Sequence, residues 1–225
     1  MNVFLFDIDG TLIDAGGAGQ AAMEASLAEE FGASQPVTGI STAGRTDRAI
    51  AMDLFQFHGI EFSEERWSRY LNSYFRLLPA SLQTRSGVVL PGVTGLLDRL
   101  SGHENVKLGL LTGNFAEGAK LKLAHYQLDH HFRFGGFGDE YLDRDDVARD
   151  ALRTVNQRHP HVLPNRIWVI GDTPSDIRCG RAIGAKVLAV ATGMFARHEL
   201  EPHHPDLLLN DLDEADAWLK SLGLS

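Results

Sequence analysis

The chain of 225 residues holds a single cysteine, Cys179. One thiol closes no internal disulfide, so a reducing cytoplasm is the simpler home. Lysine is missing from Met1 to Asn105, no long basic run occurs, and the net charge is −9. That balance argues against nucleic acid or an anionic membrane as the main partner, though not against a small anionic substrate. No apolar stretch approaches the length, about 20 residues, that a membrane span requires. The N-terminus shows neither a basic segment nor a long apolar region, since a strand-like run begins almost at Met1, and the expectation is a chain without a signal peptide. Internal repeats and low-complexity tracts are absent as well. The histidine groups His130-His131, His159-Pro160-His161 and His203-His204 lack the spacing of a zinc site. What is present, 44% hydrophobic residues, is ample for one large or two modest domains.

The apolar run Val3-Phe4-Leu5-Phe6 ends in Asp7-Ile8-Asp9-Gly10-Thr11-Leu12. Such a run reads as a strand buried on both faces. Two carboxylates one residue apart repel each other unless a cation lies between them or one is protonated. Beside Gly10, which lets a ligand approach, they suit Mg2+ and a phosphate.

Two later segments repeat the pattern of a buried strand ending in polar residues. Lys107-Leu108-Gly109-Leu110-Leu111 runs into Thr112-Gly113-Asn114, where Asn114 and Glu117 have the spacing of a capping box opening a helix. A hydroxyl and free N–H groups at a helix start suit phosphate oxygens. Arg166-Ile167-Trp168-Val169-Ile170 runs into Gly171-Asp172-Thr173-Pro174-Ser175-Asp176. There Thr173 fits an N-cap, Pro174 the first helical position, and Asp176 the first turn. An acid in a first turn favours the helix dipole, so Asp176 has a structural reading too.

From about Gly87 onward short strands alternate with helices, at Val106–Thr112, Phe132–Phe134, Ile167–Gly171, Lys186–Ala191 and Asp206–Leu209. This alternation predicts a parallel sheet covered on both faces. Residues 15–86 differ: Ala18–Phe31, Thr46–His58 and Glu64–Leu78 have helical spacing, and Gly16-Gly17 and Ser86-Gly87 bracket them as hinges. Trp67, Tyr70, Tyr74 and Phe75 read as the packing face of this helical part. The expected fold is α/β, a Rossmann-like doubly wound parallel sheet with an inserted α-helical cap. Its division is residues 1–14 for the first strand and acidic loop, 15–86 for the cap, and 87–225 for the rest of the core.

In order and spacing these segments resemble the signatures of the haloacid dehalogenase superfamily. The chain looks closest to its phosphoglycolate phosphatase-like branch, with a helical cap between the first and second signatures. The resemblance implies a Mg2+-dependent phosphomonoester hydrolase acting on a small phosphorylated metabolite. In that reading Asp7 is the nucleophile, forming an aspartyl-phosphate, and Asp9 is the general acid and base. Asp7, Asp9 through its main-chain carbonyl, Asp172 and Asp176 form the metal site. Gly10, Thr112, Gly113 and Asn114 surround the phosphate. The usual signature lysine is replaced: after Phe134-Gly135-Gly136-Phe137-Gly138-Asp139-Glu140 the chain reads Asp143-Arg144-Asp145-Asp146. Arg144 is the candidate cation, with Lys122, and less so Lys120, as the alternatives. In the cap, Arg45 within Ser41-Thr42-Ala43-Gly44-Arg45-Thr46-Asp47 either grips a carboxylate or second phosphate of the substrate or is simply solvated.

Asp9 separates the branches. A dehalogenase has no leaving oxygen to protonate, and a phosphonatase needs a cap lysine that this chain does not have. A phosphomutase, or a non-catalytic binding protein on the same fold, stays open as an alternative. Monomer and homodimer are both compatible with the sequence.

Overall fold

The structure, a computed structural model, describes residues 1–224. At its centre lies β1 (Asn2–Phe6), buried along its whole length. It runs parallel to β4 (Val106–Leu111) on one side and β6 (Ile167–Gly171) on the other, with Phe4 opposite both Leu108 and Trp168. Adding β5 (Gly135–Gly136), β7 (Lys186–Val190) and β8 (Leu207–Leu209) gives one parallel sheet in the order β5-β4-β1-β6-β7-β8. The chain runs from β1 out to β4 and β5 and then crosses back to β6 on the other side, so the ends of β1, β4 and β6 flank a topological switch point, where open α/β sheets bind ligands.

Alternation along β1 explains the two layers. Phe4 and Phe6 face a core that includes α4 (Val93–Ser101), α5 (Ala116–His125) and α9 (Asp216–Ser221). Val3 and Leu5 face α6 (Arg144–Arg158) and α7 (Pro174–Ala182). Among the described residues no helix is long and apolar enough to cross a membrane.

Between β1 and β4 the chain crosses a short antiparallel ribbon, β2 (Ile13–Asp14) against β3 (Val88–Val89). The ribbon carries three helices: α1 (Ala18–Phe31), α2 (Asp47–Phe57) and α3 (Glu64–Thr84). Entry into α1 is made by Gly16 and Gly17 at φ 59° and 76°, left-handed values that glycine adopts freely. The helix expected over Glu64–Leu78 continues through Pro79 to Thr84. Burial of Leu78 and Leu82 outweighs the backbone hydrogen bond that proline removes. Trp67, Tyr70 and Tyr74 are buried around Phe55 and Phe115, with the Tyr70 and Tyr74 rings 5.4 Å and 5.9 Å from Phe55 and Phe115 respectively. Phe115 belongs to the segment after β4, so the three helices and the sheet share apolar packing.

The strand expected at Phe132–Phe134 is displaced. Phe132 turns inward onto Phe6, ring centroids 5.9 Å apart, and the ladder to β4 is made by Phe134–Gly136 instead. Gly136 has to be glycine there: a Cβ would fall 2.6 Å from the Val147 carbonyl of α6.

Candidate active site

Asp7 continues β1 by one more ladder bond, its N–H donating to the Ile170 carbonyl at 2.9 Å. Thr112 and Asn114 follow β4, and Asp172 follows β6. Three central strands thereby aim these side chains at one end of the sheet. A cavity of about 390 Å³ opens there, with Asp7, Asp9, Asn114, Lys122, Arg144 and Asp172 on its sheet side. Gln20, Met23, Arg45, Asp47 and Ile50 form much of the opposite wall.

Asp7, Asp172 and Asp176 are all buried, and each offers a carboxylate oxygen within 4.8 Å of the others. Burial is the main cause that pushes the Asp7 carboxyl up to about 7; Arg144 opposes it, and Asp176 and Asp9 add to it. Burial, then Asp176 and Asp7, raise Asp172 well above the ordinary carboxylate range. Asp176 is already committed. Its Oδ2 accepts from the Thr173 N–H at 3.0 Å and the Thr173 hydroxyl at 2.6 Å, completing the capping box of α7, and its Oδ1 accepts from Arg144. Asp172 is held by the Thr11 hydroxyl on Oδ1 at 3.1 Å, while its Oδ2 lies against two glycines. A Cβ on Gly10 would fall 2.4 Å from that oxygen, and one on Gly193 only 1.7 Å. Three buried acids against one guanidinium leave negative charge uncompensated, on hard oxygen donors. That donor set of Asp7, Asp172 and Asp176 fits a hard divalent cation such as Mg2+.

Arg144 is the first residue of α6, and Asp143 caps that helix on the Asp145 N–H at 3.0 Å. Its side chain is only 3% exposed. One nitrogen lies 3.4 Å from Asp7 Oδ1; the other donates to the Leu111 carbonyl at 3.3 Å and to Asp176. Burial works against its charge, but Asp7 and Asp176 more than offset this and raise its pKa.

Lys122 reaches the same cavity from α5, a different direction. Its ammonium donates to Asp9 Oδ2 at 2.6 Å and to Asn114 Oδ1 at 2.6 Å. Burial disfavours the charge, and Asp9 and Asp47 restore it, leaving the pKa raised. The Asn114 amide nitrogen donates to Asp9 Oδ2 at 2.9 Å and to the Thr112 hydroxyl at 2.8 Å. Arg144 and Lys122, framed by the sequence as alternatives, therefore both enter the site, one on Asp7 and one on Asp9. Lys120 pairs with Glu117 on the exposed side of α5.

Asn114 does not cap α5, as its spacing from Glu117 suggested, because its amide is engaged with Asp9, Thr112 and Lys122. The helix start is satisfied from elsewhere. Asp47 Oδ2 accepts from the Phe115 N–H at 3.0 Å, and Asp139 Oδ2 from the Ala116 N–H at 2.9 Å. Asp47 also donates its own N–H to the Gly113 carbonyl at 2.7 Å. Burial pushes its carboxyl up to about 6, opposed by Lys122 and the Phe115 N–H. Thr46 caps α2 by accepting from the Ala49 N–H at 3.1 Å.

Gly113 is pressed beneath this segment: a Cβ would fall 2.0 Å from the Arg45 carbonyl. The Arg45 side chain lines the cavity, but its guanidinium turns to its own helix and loop. It lies 2.7 Å from Asp53 Oδ2 and donates to the Ser41 carbonyl at 3.1 Å.

Sequence reasoning missed Lys122 as a partner of Asp9, Asp47 as the cap of α5, and the pair Thr192-Gly193. The Thr192 hydroxyl donates to the Gly10 carbonyl at 2.6 Å, fixing the acidic loop. Its signal was available: Thr192 stands two residues beyond β7, at the same end of the sheet as Asp7, Thr112 and Asp172.

The haloacid dehalogenase-like hydrolase family matches residues 4–190. A relative named for pyrophosphatase activity, PpaX of Caldanaerobacter subterraneus subsp. tengcongensis, is 25% identical over 215 residues, covering 92% of this chain and 90% of the relative. Among solved structures, a predicted phosphoglycolate phosphatase from Haemophilus somnus superposes with a TM-score of 0.73 at 16% identity, covering 98% of both chains. CbbY from Rhodobacter sphaeroides, solved in complex with phosphate, gives 0.73 at 19% identity over 96% of each chain. These structural likenesses concern the fold. The family match spans most of the sheet together with Asp7, Asp9, Thr112, Arg144 and Asp172, and the chain belongs to the haloacid dehalogenase-like hydrolases.

Proposed function

We propose that the protein is a Mg2+-dependent phosphomonoester hydrolase that acts on a small phosphorylated metabolite through an aspartyl-phosphate on Asp7. The observation that carries this reading is the pairing of two acids with two separate cations around one cavity. Asp7 lies 3.4 Å from Arg144, and Asp9 lies 2.6 Å from Lys122. A nucleophile and a proton-transfer group need different environments, and these two carboxylates have them.

In this reading an Asp7 oxygen attacks phosphorus while the bond to the leaving oxygen breaks. Asp9 gives that oxygen its proton, then takes a proton from the water that attacks the aspartyl-phosphate, releasing inorganic phosphate and free Asp7. Arg144 holds Asp7 in place and balances charge on the transferring oxygens. The Thr112 hydroxyl, the Gly113 N–H and Asn114 complete the phosphate cradle, beside Gly10. Asp7, Asp172 and the Asp9 carbonyl would hold Mg2+, with Asp176 supporting them; the ion supplies positive charge to the phosphoryl oxygens. Residues 15–86 act as a cap that excludes water and surrounds the leaving group. Similarity to proteins named for pyrophosphatase and phosphoglycolate phosphatase activity supports a phosphate-bearing substrate.

The test is release of inorganic phosphate from a panel of phosphorylated metabolites, with Mg2+ and with chelator, beside Asp7→Asn. Metal-dependent release that disappears in the variant is expected. Isomerised sugar phosphate without net phosphate release would assign a mutase instead, and inertness toward every member would overturn the reading.

A further inference from the structure

We propose that the leaving group is uncharged, a small hydroxyl-bearing alcohol, rather than a carboxylate or a second phosphate. The inference rests on the phosphohydrolase reading and deepens it.

Five carboxylates line the cavity, those of Asp7, Asp9, Asp14, Asp47 and Asp172, against three cations, Arg45, Lys122 and Arg144. Every one of those cations is already engaged. Arg144 lies between Asp7 and Asp176. Lys122 is 2.6 Å from Asp9. Arg45, the cation on the cap side, is 2.7 Å from Asp53 and is tied further to the Ser41 carbonyl. A divalent cation and the transferring phosphate dianion compensate each other, so their arrival does not change the balance. A further anion on the leaving group would enter a cavity whose lining carries more acids than cations, each of those cations already paired with a carboxylate.

The wall facing the leaving group has the opposite qualification. Gly17 and Gly19 give room, Met23 and Ile50 give apolar surface for carbon, and Thr42 offers a hydroxyl. Gln20 donates from its amide nitrogen to Glu24 at 2.9 Å, and its carbonyl oxygen is the group that would accept from a substrate hydroxyl. At about 390 Å³ the cavity is at the small end for ligand sites, which run from about 300 to 1,000 Å³.

The experiment uses matched pairs that differ only in the charge of the leaving group: 2-hydroxyethyl phosphate against phosphoglycolate, and glycerol 3-phosphate against 3-phosphoglycerate. Each is assayed with Mg2+ for phosphate release and as a competitor of p-nitrophenyl phosphate hydrolysis, so that slow turnover still reads as inhibition. The neutral member of each pair is expected to have a kcat/KM at least tenfold higher, or an inhibition constant at least tenfold lower. Equal or reversed preference overturns the inference and leaves the phosphohydrolase reading intact. Failure to hydrolyse p-nitrophenyl phosphate and all four esters overturns both. A variant isolates the cause: Asp53→Asn removes the carboxylate charge paired with Arg45 and should narrow the selectivity several-fold by improving the anionic members. Selectivity unmoved by Asp53→Asn would show that charge balance is not its origin.

Discussion

The Lys122 ammonium lies 2.6 Å from Asp9 Oδ2, and the Asn114 amide closes a triangle with both. A lysine on a helix after the second sheet strand is thus placed on Asp9, the proposed acid–base residue, while Arg144 takes Asp7, the proposed nucleophile. Apart from these two contacts Asp9 faces the cavity, its side chain 43% exposed. Lys122→Met keeps the apolar stem and removes the charge. It should lower kcat by about 10²-fold, the low end of what a positioned proton-transfer group contributes. Far-UV circular dichroism should be unchanged. A variant with the parental kcat would remove Lys122 from the mechanism.

The carboxyl of Asp7 is moved from 3.8 up to about 7, with burial the main cause. Between those values the folded, metal-free protein keeps a proton that the unfolded chain has lost. Stability from this group is therefore present in full below about pH 4 and lost as the pH climbs through about 7. Asp7→Asn does not titrate. In chelator, its Tm should exceed that of the parent by a margin that grows from pH 4 to pH 7, about 2–4 °C for each kcal/mol relieved. Excess Mg2+ should shrink the margin, because only the parent keeps the full ligand set. A margin independent of pH would mean that Asp7 is not strained by burial.

The sheet-end polar residues were legible because β1, β4 and β6 are short apolar runs that stop abruptly at Asp7, Thr112 and Asp172, a pattern that burial on both faces imposes. The fifth strand was not. Gly135 and Gly136 carry no side chain from which a period could be read, and Gly136 is chosen for the close approach of α6. Local spacing also identified Thr173 as the N-cap of α7 with Asp176 in its first turn, but misassigned Asn114, whose amide answers to Asp9 across 105 residues. Arg144 and Lys122 could only be set against each other in one dimension. That each has its own carboxylate depends on α5 and α6 approaching the site from different sides.

Asp47 crosses from α2 to accept the Phe115 N–H at 3.0 Å, 68 residues away. Asp47→Ala leaves that buried donor unpaired, at a cost of about 1–3 kcal/mol, whereas Asp47→Asn keeps an acceptor oxygen and should cost less. Urea unfolding at pH 5, below the value of about 6 to which burial raises Asp47, should rank the proteins parent, Asn, Ala in falling stability. The Ala variant should also show a higher KM, because α2 then loses a hold on the segment after β4. Equal stability of all three would mean that the Phe115 N–H finds water instead.

Gly193 lies so close to Asp172 that a Cβ would fall 1.7 Å from Oδ2. Its φ is not positive, so the substitution reads crowding rather than left-handed backbone strain. Gly193→Ala must push the carboxylate off its place between Gly10 and Gly193. A displaced ligand or supporting group typically costs 10–100-fold in metal affinity. The expected outcome is a weakening of that size in Mg2+ binding, read both by calorimetry and by the Mg2+ dependence of phosphate release. Activity at saturating Mg2+ should recover in part, since Asp7, Asp9 and Arg144 are untouched. Unchanged Mg2+ binding would place the ion away from Asp172 and require a different ligand set.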